Sequence, residues 1–336
     1  MSLVRPERAS TLHDVARVVG VSTRTVSRVV NDEGGFSDAT RKKVLDAVEA
    51  LSYRPNVMAR GLITRRTSTI ALVAPVISDH FFPEVADSVQ RAAREIGLNM
   101  FFASTDDDLD VQDDVLDSLE SHAVDGVIIF PLGETSEALV RFADRGMPMV
   151  VIDTPADHPN MRMVSSDLRS GARMAVEHLI GSGRRRLGML AHVNSPVGRR
   201  WREDGFCDAL PADIEPIVIR EFAGSEGGRI GVRRLLDVVP DLDGVFVYND
   251  MMALGAIREL HELGRRVPDD VAVVGFDDIQ MSALVAPSLT TIQIDRERLG
   301  IEAVHTLIAL RDGDLDDHDE RVGPVIPVSL IRRESA

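Results

Sequence analysis

The sequence predicts an α/β protein in which a small helical unit precedes two doubly wound parallel-sheet lobes. Three observations predict it. Apolar, β-rich runs alternate with amphipathic stretches from residue 69 onward, the same rhythm restarts after about residue 180, and the residues before 67 show helical spacing only. At 336 residues the chain exceeds what one hydrophobic core holds, which fits several folding units.

Charge divides the chain in the same way. Residues 1–66 hold 12 Lys+Arg against 7 Asp+Glu, net +5, which leaves 26 against 47, net −21, for the remainder. A basic head on an acidic body is the asymmetry expected when only the head meets a polyanion. No apolar run reaches the roughly 18 residues of a membrane span, and "MSLVRPERAS" has no hydrophobic signal core, so a cytoplasmic protein with no membrane partner is expected. The single cysteine, Cys207, excludes an internal disulfide and a cysteine-based metal site.

In "TLHDVARVVG" Thr11 reads as a helix N-cap with Asp14 as its capping-box partner, and Leu12, Val15, Ala16 and Val19 recur at helical spacing. Gly20 stops this helix. Ser22 can cap a second, residues 23–30, whose Val26, Val29 and Val30 turn toward the first and leave Thr23, Arg24, Ser27 and Arg28 facing out. Two helices joined by a short glycine-containing turn make a helix-turn-helix. A second helix of this kind enters a DNA major groove, where arginine grips guanine O6 and N7 and hydroxyls hold phosphates. Ser22, Thr23, Arg24, Thr25, Ser27, Arg28 and Asn31, with Thr11 at the first N-terminus, are therefore the candidate DNA contacts. A plain amphipathic bundle would explain the apolar spacing, but not an exposed face made of hydroxyls and guanidinium groups. A third helix, from Asp38 to about Leu51, is introduced by Ser37 and offers Val44, Leu45, Val48 and Leu51 as its buried stripe.

In "YRPNVMARGLITRRT" Asn56 can cap a short apolar and basic segment, too short to be a stable helix alone in water. Such a segment can fold on binding and place a leucine wedge in the minor groove. With "SDATRKKVLDAVEALSYRPNVMARGL", the stretch "TLHDVARVVGVSTRTVSRVVN" resembles the head and hinge of the LacI/GalR family of bacterial transcription regulators. The resemblance implies a homodimer whose two heads read a near-palindromic double-stranded operator. By the family's pattern Thr23 and Arg24 are the variable base-reading pair, Arg28 the more constant base contact and Leu62 the minor-groove lever, with Asn56, Ala59 and Arg60 beside it. It gives residues 9–55 as the DNA-binding domain and 56–67 as the hinge. With "PVSLIRRESA" at the C-terminus and no leucine heptads after it, a dimer without an added tetramerising helix is expected.

The body alternates as βαβ units: "TIALVAPVI", "FFPEVADSVQRAAREIG", "NMFFAST", "VQDDVLDSLESHAV" and "DGVIIFPL", then "RLGMLAHV", "IVIREFAG", "DGVFVYND" and "VAVVGFDD". Lobes of this type bind ligands beyond the carboxyl ends of their strands. The residues there are Asp79, Phe81 and Phe82, Asp153, Arg202, Phe222, Asn249 and Asp277. Carboxylates, an amide and a guanidinium can bind adjacent hydroxyls, and phenyl rings can cover the C–H face of a sugar. The body is similar to the periplasmic binding protein-like type I fold that this family uses as its sensor, and these residues fall on positions that contact sugar in such proteins. Asp79 stands where ribose-type binders often have Asn, and Thr154 where they often have Arg, which argues against ribose. The family pattern places crossovers near residues 180, 292 and 327, so the lobes are 68–180 with 293–327 and 181–292 with 328–333.

Other signals are weaker. Asp106, Asp108 and Asp110 alternate like the start of a calcium loop, but Val111 stands where such a loop needs glycine, and a helix N-terminus explains the run. "GSGRRRLG" follows a helix and precedes a strand, the wrong order for a phosphate loop. No HExxH or G-x-S-x-G occurs. The expectation is therefore no enzyme, no cofactor and no metal, but a repressor governed by a small sugar-like effector. A purine, a nucleoside or a partner phosphoprotein remains open as the effector. A transport receptor would need a secretion signal and has no use for the head.

Overall fold

A computed structural model describes residues 10–30, 34–53, 66–122, 124–133, 136–194, 200–212, 214–315 and 322–336. The chain divides into two units, Met1–Thr67 and Ser68–Ala336.

The first unit holds α1 (Leu12–Val19), α2 (Thr23–Val30) and α3 (Asp38–Ala50). Thr11 and Asp14 form the capping box: the Asp14 amide donates to Thr11 Oγ1 at 3.3 Å and the Thr11 amide to Asp14 Oδ2 at 2.9 Å. Gly20 ends α1 in the left-handed region at φ 73°, a conformation that costs glycine nothing. Ser22 and Ser37 accept the Thr25 and Thr40 amides at 3.1 and 3.2 Å and start α2 and α3. Val15, Ala16, Val26, Val29, Val44, Ala47 and Tyr53 form the small core. Leu45 is a correction: it is 44% exposed, and Ala47 takes its place. The stripe 44, 47, 48, 51 follows the helical period, whereas position 45 lies about 100° around the helix.

The second unit holds two six-stranded sheets. The first is built from β1 (Thr69–Ala74), β2 (Asn99–Ser104), β3 (Val127–Ile129), β4 (Met149–Ile152), β5 (Met161–Ser166) and β11 (Val322–Ile326), in the order β11-β5-β4-β3-β1-β2. The second is built from β6 (Leu187–His192), β7 (Val218–Glu221), β8 (Gly244–Val247), β9 (Ala272–Asp277), β10 (Thr290–Ile294) and β12 (Val328–Ile331), in the order β12-β10-β9-β8-β6-β7. All ladders are parallel except β10 with β12. The switch points therefore lie between β1 and β3 and between β6 and β8, where such sheets open a ligand crevice.

Helices α4 (Phe81–Glu95), α5 (Leu109–Ser121), α6 (Glu137–Asp144) and α11 (Arg296–Asp312) belong to the first lobe. Helices α8 (Trp201–Ala209), α9 (Ser225–Val238) and α10 (Asp250–Glu262) belong to the second. Helix α7 (Leu168–Gly181) packs on α8 and on strands of the second sheet, so the crossover expected near 180 falls at Asp167 instead. Close approach explains the pairing: a Cβ on Gly205 of α8 would sit 2.2 Å from the Arg169 carbonyl oxygen of α7. The later crossovers fall at Asp295, between β10 and α11, and at Pro327, between β11 and β12.

One apolar cluster runs through both lobes, from Ile70 and Leu72 to Phe206, Phe246 and Phe276, and separate clusters fill the remaining face of each sheet. Each fully buried Leu, Ile or Phe contributes about 1.5–3 kcal/mol. No helix among the described residues is long and apolar enough to cross a membrane.

Candidate functional site

In the first unit α2 presents its polar face as the spacing predicts, but the hydroxyls divide into two jobs. Ser22 is exposed and caps the helix, and its Oγ lies 2.9 Å from Thr25 Oγ1, so both hydroxyls serve the helix start. Arg24 is exposed, while Thr23, Ser27 and Arg28 are half-buried. The Arg28 guanidinium lies over Gly35: a Cβ there would come 2.1 Å from its Nη2. Thr11 is exposed at the start of α1, its hydroxyl on Asp14 Oδ2 at 2.6 Å. Asn31, Asn56, Ala59, Arg60 and Leu62 lie outside the described residues.

In the second unit a cleft of about 160 Å³ opens between the lobes at the carboxyl ends of their strands. Seven of the eight residues expected there line it: Asp79, Phe81, Phe82, Asp153, Arg202, Asn249 and Asp277. Phe222 does not; it is 63% exposed, and its neighbour Ala223 faces the cleft instead. Phe222 follows β7, the edge strand beyond β6, where successive side chains alternate between faces.

The first lobe supplies an aromatic wall. Phe82 meets Phe81 and Phe130 edge-on, with ring centroids 5.3 and 5.2 Å apart. Phe81 is only 6% exposed and belongs equally to the core. Beside this wall Asp79 Oδ1 accepts the Phe81 amide at 3.0 Å, and Asp153 Oδ1 accepts the Ser166 amide at 2.7 Å.

The second lobe supplies a cation held in place. Arg202, on the first turn of α8, lies between the rings of Tyr248 and Phe276, 4.4 Å from each centroid, and its Nη2 stands 3.4 Å from Asp277 Oδ1. Asn249 caps α10 by accepting the Met252 amide at 2.9 Å, and its Nδ2 donates across the cleft to Asp79 Oδ2 at 3.3 Å. Next to it Asp250 is fully buried and holds the start of α10 against the Ile279 amide and the Ser282 and Thr291 hydroxyls.

Burial governs the acids. It pushes Asp153 up to about 6, against the pull of the Ser166 amide and Arg202. It also raises Asp79, and Asp277 well above the usual carboxylate range despite Arg202, with Asp250 and Asp79 adding to the Asp277 shift. Asp153 and Asp277 further adopt positive φ, 51° and 109°, strain of the kind that concentrates at functional sites.

Sequence reasoning missed a second bridge across the cleft. His192, at the end of β6, lies 3.1 Å from Asp107 Oδ2, and Asn194 Nδ2 donates to the same oxygen at 3.3 Å. Inspecting the end of β6 as closely as the other strand ends would have found His192. Asp107 was hidden in the aspartate run, whose neighbour Asp108 does cap α5, accepting the Asp110 amide at 2.8 Å. In "GSGRRRLG" the arginines tie the loop down, Arg184 Nη2 donating to the Pro268 carbonyl at 2.7 Å. Among the described residues no group of three or more His, Cys, Asp or Glu is placed to hold a metal ion.

The bacterial regulatory proteins, lacI family, match residues 11–56, and the periplasmic binding protein-like domain matches residues 176–336. The ribose operon repressor of Halalkalibacterium halodurans is 34% identical over 334 residues, covering 97% of both chains. The chain belongs to the lacI family of bacterial regulatory proteins. The transcriptional repressor PurR of Mannheimia succiniciproducens is 34% identical over 304 residues, 89% of this chain and 91% of its own. The crystal structure of the lac repressor dimer bound to operator and the anti-inducer ONPF superposes with a TM-score of 0.86 at 30% identity, covering 98% of this chain and 99% of that one. This family member is accordingly a DNA-binding transcriptional regulator, its helix-turn-helix in the first unit and its sensor fold in the second.

Proposed function

We propose that this regulator is a dimeric repressor whose affinity for a near-palindromic operator is set by a small polyhydroxyl effector bound between the two lobes. The observation that carries the reading is the cleft itself. Three carboxylates, an amide and a clamped guanidinium converge opposite a wall of phenylalanine edges, the complement of a ring with hydroxyls at its rim and C–H groups on its face. The dimer of the lac repressor structure supports the oligomeric state. Large apolar side chains exposed on the second unit, Phe101 at 51% and Leu284 at 76%, offer surface for it.

The effector acts by binding one disposition of the lobes better than another, since equal affinity for both shifts nothing. The bridges from Asn249 to Asp79 and from His192 to Asp107 cross the cleft, so a ligand that competes with or completes them changes the balance between lobe arrangements. A coupling of about 1–3 kcal/mol changes operator affinity roughly 5- to 150-fold. The head does the reading: Arg24 and Arg28 face the major groove, with Leu62 of the 56–67 segment as the minor-groove wedge.

The test begins with operator selection from random duplex DNA by the full-length protein, followed by binding titrations with and without sugars and polyols. The expected outcome is a near-palindromic site, released or tightened by one class of polyhydroxyl compound. Arg28→Ala should abolish specific binding while effector affinity stays within a few fold. Operator affinity retained by that variant contradicts the docking.

A further inference from the structure

We propose that the effector is a basic polyhydroxyl compound, carrying a protonated amine and no acidic group. This rests on the cleft being the effector site and concerns the ligand's charge alone.

Five carboxylates line the cleft, Asp79, Asp107, Asp153, Glu203 and Asp277, against Arg200, Arg202 and His192 among the described residues. The positive charge is also unevenly placed. Arg202 acts on Asp79, Asp153 and Asp277 alike, with His80 adding to it at Asp79 and Arg296 at Asp277, yet of the three only Asp277 lies within ion-pair reach of Arg202. The flanking Tyr248 and Phe276 rings fix the guanidinium, so it cannot swing to serve the others. Burial raises all three acids, and at Asp277 the neighbouring carboxylates of Asp250 and Asp79 add to it, which is what acids crowded together with little countercharge do.

Two further carboxylate oxygens lack a hydrogen bond among the described residues, although Glu203 is ion-paired with Arg220 and Arg200. Glu203 is 8% exposed; Arg220 takes its Oε2, while Oε1 accepts no hydrogen bond among the described residues, with Arg200 Nε standing off at 3.5 Å. Asp107 gives Oδ2 to His192 and Asn194, and its buried Oδ1 has no hydrogen-bond partner among the described residues. A buried acceptor left unmatched is costly. A neutral polyol brings hydroxyl donors but leaves the charge imbalance in place. A phosphate or carboxylate on the ligand increases it. An ammonium group brings both the missing charge and three donors.

Calorimetric titration of the full-length protein at neutral pH tests this with matched sets: a hexose, its 2-amino-2-deoxy form, the N-acetylated form of that amine, and its 6-carboxylate. The amine should bind at least about tenfold tighter than the hydroxyl parent, as close charge pairs at buried interfaces do. Acetylation should erase the advantage, and the acid should not bind measurably. Asp107→Asn and Glu203→Gln should each narrow the preference for the amine, and a variant that fails to fold leaves the wild-type comparison standing. An acid or neutral member binding as tightly as the amine overturns the charge assignment while keeping the polyhydroxyl reading. An N-acetyl form equal to the free amine overturns it likewise. Silence across every set sinks the polyhydroxyl reading and this proposal together.

Discussion

The first and second lobes share one strand order, yet they face the cleft with unlike walls. The first offers packed aromatic edges, Phe81, Phe82 and Phe130, beside Asp79 and Asp153. The second offers an arginine fixed between two rings, an amide on a helix start and Asp277 on strained backbone. One strand order thus positions two kinds of chemistry, because switch points fix where side chains emerge and not which ones. The difference assigns roles: the second lobe orients polar groups of the ligand, and the first covers its apolar face.

Substitutions on the two walls separate these roles. Asp277→Asn removes one partner of the most buried charge pair in the cleft and should weaken effector binding at least about 30-fold, the lower end for breaking such a pair. Operator affinity without effector should stay within a few fold; unchanged induction would break the comparison at its polar side. The next effect is pH. Asp153, raised to about 6, accepts donors from the ligand best when ionised, so affinity should fall as pH drops through that value, by up to about tenfold per unit for one proton. Asp153→Asn should flatten this profile, which titrations across the range will show.

On the aromatic side Phe82→Ala should cost about tenfold in effector affinity, the value of a partly buried ring, with little loss of stability. Phe81→Ala should instead destabilise the body by about 3–5 kcal/mol in denaturant unfolding, since that ring is core. Smallest of all, Phe222→Ala should leave effector affinity within twofold. A larger loss would return Phe222 to the cleft.

What the sequence revealed follows from how local each signal is. Thr11 with Asp14, Gly20, Ser22 and Ser37 act on their own neighbours, so the helix starts and the stop of α1 were legible to the residue, whereas the buried stripe of α3 was misread at Leu45. Apolar runs such as "GVFV" are buried on both faces and announce central strands. β5 does not announce itself, because Arg162, Ser165 and Ser166 sit buried within it, Arg162 Nη1 donating to the Pro159 and Met161 carbonyls. The boundary at Asp167 was hidden for a different reason: nothing in the pattern of α7 says which sheet it covers. Asp107 and His192 are 85 positions apart, and only the folded lobes reveal them as a pair. Phe222 failed by one residue of strand alternation.

The measurement that tests the account most directly is thermal unfolding of the wild-type protein and Asp277→Asn, side by side, against monosaccharides, amino sugars, polyols, sugar acids, nucleosides and purines. A ligand at 100 times its Kd adds about 2.7 kcal/mol, a shift of several degrees in a unit this size. The account predicts that a polyhydroxyl compound stabilises the wild type and that Asp277→Asn loses the shift while unfolding cooperatively on its own. A purine or nucleoside that stabilises both proteins equally, with no response to any polyhydroxyl compound, would contradict it.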